Sequence, residues 1–237
     1  MIVRPTVTVS YAQTLDGRLA AANGSSRWIS SPDSLRFAHA LRAEHDAVTV
    51  GAGTACNDDP RLTVRLVPGD DPLRVVVDST FRTPLSAAVL AHGAAKRTIL
   101  AVTDRAPDER CEEVRSLGAT ILRLPASAAG RVDLGALLAE LYSMGVRSVM
   151  VEGGAALITS FLYDRLVDRL AVCIAPKILG RGIGNPGGDP SRLRKKVSRY
   201  PTWNHALQSS AFTVARGYFT LNFWSKFRRA NYEEIKG

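Results

Sequence analysis

Apolar positions along this chain follow two periods, and the way they alternate sets the expected architecture. "TVTVSYA" at 6 to 12 alternates with period two, which predicts a strand with Val7, Val9 and Tyr11 on one face. "LDG" then turns the chain. "SSPDSLRFAHALRAEHD" opens with a Ser cap and a Pro in the first turn, and Leu35, Ala38 and Leu41 with Phe37 make the apolar side of a helix. It feeds "AVTVG", a short buried strand. The runs "LRVVVDS" (73 to 79), "RTILAVT" (97 to 103), "ATILRLP" (119 to 125) and "RSVMVEGG" (147 to 154) are continuously apolar and end in turn residues, as strands covered on both faces do. Between the last two, Leu134, Leu137, Leu138 and Leu141 fall on one helical stripe. Strand, helix and strand in repetition predict a three-layer α/β fold, a mostly parallel sheet wrapped by helices. Beyond a Gly/Pro-rich break at 180 to 190, "AFTVARGYFTLNFW" reads as two strands around Arg216-Gly217, an antiparallel edge hairpin at the C-terminal end. There is no internal repeat.

Composition narrows the picture. With 237 residues and 46% hydrophobic content, the chain buries a substantial core as one large domain or two small ones. Cys56, Cys111 and Cys173 are odd in number and lack C-x-x-C spacing, and no basic-then-apolar leader precedes "MIVRPTVTVS". A reduced, cytoplasmic protein is the expectation. No apolar run approaches the roughly 20 residues a membrane helix needs.

The net charge of +9 suggests nucleic acid until it is divided along the chain. Residues 1 to 180 carry 20 Lys/Arg against 19 Asp/Glu, while 181 to 237 carry 11 against 3. The densest basic stretch, "RLRKKVSRYPTW" at 192 to 203, has the means to contact phosphates, with Tyr200 and Trp203 to stack on bases. A solvated face or a subunit contact is the preferred reading, and nucleic acid is not expected as a partner.

Ligands of open α/β sheets bind beyond the carboxyl ends of the strands. After "VMV" come Glu152, Gly153 and Gly154 and then the helix "AALITSFLYDRL". Glycines at such a turn let a phosphate reach backbone N–H groups, with the helix dipole favouring its charge. A tight turn that simply needs small residues explains the segment equally well. "GAGT" at 51 to 54 lacks the third glycine of the dinucleotide fingerprint, since Cys56 stands there, so a conventional Rossmann dehydrogenase fits poorly. Arg42, Arg65 and Glu152, with Asp58 beside them, are the charged residues placed in a pocket. Arginine holds phosphate bidentately, and a carboxylate accepts from the N–H groups of a heterocycle. Taken singly, Arg42 reads as well as an exposed helix-end arginine, and Glu152 as a cap on its turn. His39, His45, His92 and His205 have no metal-ligand spacing, so no metal is expected. No Ser/His/Asp order or paired-carboxylate signature points to hydrolysis. "NDDPRLTVR" at 57 to 65 stays unexplained by folding alone, because adjacent carboxylates repel and a proline follows them.

Read together, "YAQTLDGRLA", "SSRWISSPDS", "LRAEHDAVTVGAGTACNDDPRLTVR", "LRVVVDS", "VMVEGGAALITSFL" and "DRLAVCIAPKILGRG" resemble the reductase domain of riboflavin biosynthesis, over about residues 4 to 182. That family has a dihydrofolate-reductase-like fold. Its zinc deaminase half, with an H-x-E and P-C-x-x-C signature, has no counterpart here, so the chain resembles the stand-alone reductases, a single reductase domain over 1 to 237. The resemblance implies a homodimer, NADPH as hydride donor, and a ribosylamino-pyrimidine 5′-phosphate whose ribosyl group becomes ribityl. Carried over by motif, Ala12, Trp28, Ser30, Thr54, Asp58, Ser79, Gly153, Gly154, Ala155, Ala156, Leu157 and Ser160 line the cofactor site. Ser26, Arg42, Leu62, Arg65 and Glu152 line the substrate site, with Glu152 and Asp58 nearest the chemistry. "NDDPRLTVR" then becomes a loop shared by both ligands, with Pro60 stiffening its turn.

The chain departs from the family at two places. Ser10 stands where many bifunctional members carry a lysine, and the basic segment from 192 to 237 matches no family motif. A relative recruited to another heterocycle or to dihydrofolate shares these features, as does a non-catalytic nucleotide- or nucleic-acid-binding protein. The intact set of Glu152, Arg42 and Arg65 favours an enzyme.

Overall fold

The computed structural model of the chain describes residues 3–22, 29–91 and 93–184, with the backbone of two strands at 213–215 and 218–222. In chain order the elements are β1 (Thr6–Thr14), β2 (Arg18–Ala21), α1 (Pro32–Glu44), β3 (Ala47–Gly51), α2 (Ala52–Asn57), β4 (Leu73–Val77) and β5 (Thr98–Val102). There follow α3 (Asp108–Ser116), β6 (Thr120–Arg123), α4 (Leu134–Ser143), β7 (Ser148–Gly153), α5 (Ala155–Tyr163), β8 (Arg169–Ala175), β9 (Gly182–Gly184), β10 (Thr213–Ala215) and β11 (Tyr218–Asn222). They divide into two compact units, one of Met1–Thr6 and Leu35–Leu157, the other of Val7–Ser34 and Ile158–Gly237.

In the first unit β7, β3, β4, β5 and β6 lie side by side in that order, every pair parallel. In β7, β3, β4 and β5 the apolar runs carry no alternation because both faces are covered, and β5 is buried along its whole length; the expectation fails for "ATILRLP", since β6 is an edge strand with no buried residue. Helix α4 buries the predicted stripe of Leu134, Leu137, Leu138 and Leu141. Asp133 caps it by accepting the Ala136 N–H at 2.9 Å. Its far end closes on Gly145, whose φ of 93° lets the Val146 N–H turn back to the Leu141 carbonyl.

Two further expected patterns are corrected. Ser31 does cap α1, its Oγ accepting the Ser34 N–H at 3.1 Å. The buried side of that helix, however, runs through Ser34, His39 and Leu41, while Leu35 is 46% exposed. The polar members tolerate burial because each has a hydrogen-bond partner. In β1, Thr8 and Ser10 are buried along with Val7 and Val9, so the alternation does not mark one solvated face.

The second unit orders its strands β10, β11, β8 and β1, with β1 parallel to β8 and the rest antiparallel. The predicted hairpin is therefore present as β10 and β11, next to β8. The "LDG" turn between β1 and β2 is tied down by Asp16, which accepts from the Thr14 hydroxyl (2.6 Å) and the N–H groups of Leu179 (3.2 Å) and Gly180 (2.7 Å). The Thr14 bond leads the causes that hold the Asp16 carboxyl down to about 2. Among the described residues no helix is long and apolar enough to cross a membrane.

Candidate active site

The segment "NDDPRLTVR" leaves α2 at Asp58, whose N–H still bonds to the Thr54 carbonyl at 3.0 Å. Two of its residues are left-handed without being glycine: Asp59 at φ 41° and Leu62 at φ 54°. Such conformations cost about 1 kcal/mol or more each and persist only where neighbours impose them. Here the neighbours are named side chains. Asp59 accepts the Ala88 N–H (2.7 Å) through its carboxylate, which explains one of the paired acids. Leu62 is anchored in the core at 1% exposure. Arg74 Nε donates to the Arg61 carbonyl (2.9 Å) and Arg42 Nη1 to the Thr63 carbonyl (2.8 Å). Asp71 Oδ1 accepts the Val64 N–H (2.7 Å), and His39 Nδ1 accepts the Arg65 N–H (2.8 Å).

Glu152 meets this loop through Arg42. The register between β3 and β7 shifts after Thr49, so that Thr49 faces Val151 while Val50 faces Gly153, and Glu152 is the extra residue of a bulge. Bulges re-aim side chains. Arg42 Nε donates to both carboxylate oxygens, at 3.1 and 2.9 Å, and Nη2 donates to Oε1 at 2.7 Å. With side chains only 11% and 17% exposed, the pair is a well-enclosed bidentate clamp, neither an exposed helix-end arginine nor a turn cap. The carboxylate keeps lone pairs for N–H donors of a ligand, and its orientation is fixed in advance.

Arg65 stands at the exposed end of the same cluster, with Nη1 donating to the Thr63 hydroxyl and carbonyl. Burial lowers its pKa first, followed by the repulsion of Arg42 and Arg61 against the pull of Asp71 and Glu152. Three guanidinium groups around two carboxylates leave a local positive excess that suits an anion. The same field acts on His39: burial, then Arg42 and Arg65, push its imidazole down to about 4, so it is neutral and its Nδ1 serves as acceptor.

The glycine turn is built differently. Gly154 donates its N–H to Thr54 Oγ1 at 2.9 Å. A Cβ on Gly154 would sit 3.1 Å from that same oxygen, and one on Gly153 3.4 Å. The small residues permit α2 to approach the start of α5. One first-turn N–H is thus committed to Thr54, and that of Leu157 bonds back to the Gly154 carbonyl at 3.0 Å as the first turn of α5 closes. The helix dipole at the start of α5 suits a negatively charged group. Ser79 lies just past β4, its hydroxyl accepting the Val132 N–H at 3.0 Å and its carbonyl accepting from Thr103 Oγ1 at 2.7 Å.

Comparison with known proteins decides the family. The model of the RibD C-terminal domain matches residues 5–202. The chain belongs to the RibD C-terminal domain family. A 2,5-diamino-6-ribosylamino-4(3H)-pyrimidinone 5′-phosphate reductase of Methanothermobacter thermautotrophicus is 46% identical over 75% of this chain and 81% of its own length. The riboflavin biosynthesis protein RibD of Aquifex aeolicus is 41% identical over 76% of this chain, which spans 49% of that protein. Among solved structures, the deaminase/reductase of Thermotoga maritima superposes with a TM-score of 0.66 at 28% identity, covering 92% of this chain and 56% of its own. Family and structural likeness agree on the three-layer α/β, dihydrofolate-reductase-like fold and on an oxidoreductase.

Within this RibD-family chain, the first unit brings Arg42, Glu152 and Arg65 together around Thr63, and Thr54 together with Gly154. It also carries Asp58, Leu62, Ser79, Gly153, Ala155, Ala156 and Leu157. Ala12, Ser30 and Ser160 belong to the second unit. Ser26, Trp28, His92, His205 and the basic stretch at 192 to 203 lie outside the described residues. Sequence reading missed His39 and Asp71, which act on the loop backbone across 26 and 7 residues. It passed over Arg61 although that residue lies inside the quoted segment. Among the described residues no three His, Cys, Asp or Glu side chains are grouped to hold a metal ion.

Proposed function

We propose that this chain reduces the ribosyl group of a ribosylamino-pyrimidine 5′-phosphate to a ribityl chain with NADPH, a step of riboflavin biosynthesis. The observation that carries the reading is the enclosed Arg42–Glu152 clamp beside the exposed Arg65, in a chain whose relatives include a reductase of that substrate class. Glu152 accepts from the pyrimidine's N–H groups, held in place by Arg42. Arg65, with Arg61 beside it, takes an anionic or hydroxylated part of the substrate. Both orient the substrate before reaction, and orientation is the larger share of what the protein contributes when a cofactor carries the chemistry.

When bound, NADPH supplies the hydride that reduces the sugar carbon attached to nitrogen, and the sugar ring oxygen gains a proton as its bond opens. The start of α5 with Thr54 holds the phosphates of that cofactor, and Asp58 accepts from its hydroxyls. Ser79 keeps a hydroxyl proton to donate. Assigning Ala12, Ser30 and Ser160 to the cofactor rests on the family resemblance alone, as do the homodimer and the preference for NADPH over NADH.

The test is product identification. Incubation with NADPH and the diamino-ribosylamino-pyrimidinone 5′-phosphate yields a phosphorylated product heavier by two hydrogens, with slower conversion from NADH. NADPH consumption with dihydrofolate and not with the pyrimidine phosphate would replace this reading with a recruited reductase.

A further inference from the structure

The loop that carries Arg65 is held by side chains that bind its backbone, and one of them addresses Arg65 itself. We infer that His39 is a positioning residue for substrate: its Nδ1 fixes the main chain of Arg65 and so the direction in which the Arg65 guanidinium reaches. The inference rests on the reading that Arg65 holds the substrate.

Three observations support it. His39 is 4% exposed yet is not a passive packing group, since its Nδ1 lies 2.8 Å from the Arg65 nitrogen across 26 residues of chain. Accepting that N–H requires the neutral ring with its proton on Nε2, the state that burial and then the surrounding arginines favour. His39 and Arg42 are also three positions apart on α1, so they share one helix face. Through that face a single rigid helix holds three points of the site: the Thr63 carbonyl and Glu152 by Arg42, and the Arg65 N–H by His39. The Arg65 side chain folds back onto Thr63, which closes the path from helix to loop to guanidinium. Asp71 holds Val64 between them and attracts the Arg65 charge, and Arg74 holds Arg61, but the hydrogen bonds of these two go to the backbone of Val64 and Arg61 and not to that of Arg65. A helix that sets both the substrate carboxylate and the substrate arginine fixes the spacing between them.

The experiment separates positioning from folding. His39→Leu fills the space without an acceptor, whereas the Oδ1 of His39→Asn replaces Nδ1. Loss of one hydrogen bond predicts about a 3- to 10-fold rise in KM for the pyrimidine phosphate with His39→Leu. The KM for NADPH stays within about twofold, and His39→Asn recovers most of the difference. In an Arg65→Ala background, His39→Leu adds nothing further to the substrate KM. Amide hydrogen exchange at Arg65 in the ligand-free protein accelerates in His39→Leu and is restored in His39→Asn. If His39→Leu does not fold, His39→Gln takes its place, because its amide reaches the position of Nε2 and leaves that of Nδ1 empty. Unchanged exchange at Arg65, an equal rise in both KM values, or an additive loss on top of Arg65→Ala overturns the inference. Should the wild type not turn over the pyrimidine phosphate at all, the functional reading fails, and the exchange measurement still decides whether His39 holds Arg65.

Discussion

The loop from Asp58 to Arg65 and the turn from Glu152 to Leu157 both carry residues of the first unit proposed to face ligands, and they are built by opposite means. The loop is strained, with Asp59 and Leu62 left-handed, and side chains from α1 and from residues 71 and 74 hold it in shape. The turn gains its shape by lacking side chains, so that Thr54 comes within 2.9 Å of the Gly154 nitrogen. The difference teaches where each is vulnerable. A held loop is damaged by removing a side chain elsewhere, and a bare turn is damaged by adding one in place. On the proposed function the chemistry follows the same division, with the charged side chains of the loop assigned to the substrate and the turn assigned to the cofactor phosphates.

The largest expected effect breaks the link between the two. Glu152→Ala leaves the Arg42 guanidinium enclosed without its carboxylate, which costs about 3 kcal/mol of stability. Denaturant unfolding shows that loss, and turnover of the pyrimidine phosphate falls below detection. Glu152→Gln keeps one acceptor, loses less stability and stays inactive.

Arg65→Ala tests the loop alone. Its side chain is exposed, so stability changes little. A charge-assisted hydrogen bond of about 1.5 to 3 kcal/mol disappears, and kcat/KM for the pyrimidine phosphate drops by about 10- to 150-fold. Steady-state kinetics with saturating NADPH measure it.

The matching change in the turn is additive rather than subtractive. Gly154→Val places a Cβ against Thr54 Oγ1, where only 3.1 Å is open, and pushes α2 away from the start of α5. NADPH affinity falls by about 10-fold or more while the circular dichroism spectrum stays native. Thr54→Val removes the acceptor of the Gly154 N–H without adding bulk and costs about 1 kcal/mol in stability.

A separate effect concerns pH and the clamps on the loop. His39 is held down to about 4, below the ordinary histidine value of about 6.5. As pH falls from about 6.5 toward 4 the unfolded chain takes up a proton that the folded protein refuses, so stability declines through that window and His39 contributes no pH dependence above it. Burial, then Arg42 and Arg65, enforce this, and Asp71 opposes it. Thermal unfolding as a function of pH shows a decline that is shallower in His39→Asn.

Legibility in the sequence tracks how each element is made. Runs covered on both faces, such as "RTILAVT" and "RSVMVEGG", are read without difficulty because burial itself is the signal. Helix α3 escapes notice because it buries only Cys111 and Val114 among charged neighbours, and α2 because six residues are too few to show a period. Strand β8 hides in "DRLAVCIAPKILGRG", where burial is only partial. In the candidate site, Arg42 and Glu152 are legible only together and through the family motifs, since each taken singly reads as well as a helix-end arginine or a turn cap. The left-handed Leu62 and the role of His39 are not, because a backbone conformation and a side chain bonded to a distant N–H leave no local pattern.

The division into a held substrate loop and a bare cofactor turn is tested most directly by calorimetric titration of NADPH and of the pyrimidine phosphate, separately, into Arg65→Ala and Gly154→Val. The account predicts a crossed result: Arg65→Ala binds NADPH as the wild type does and loses the pyrimidine phosphate, and Gly154→Val does the reverse. Loss of both ligands in both folded variants, or of neither, would contradict it.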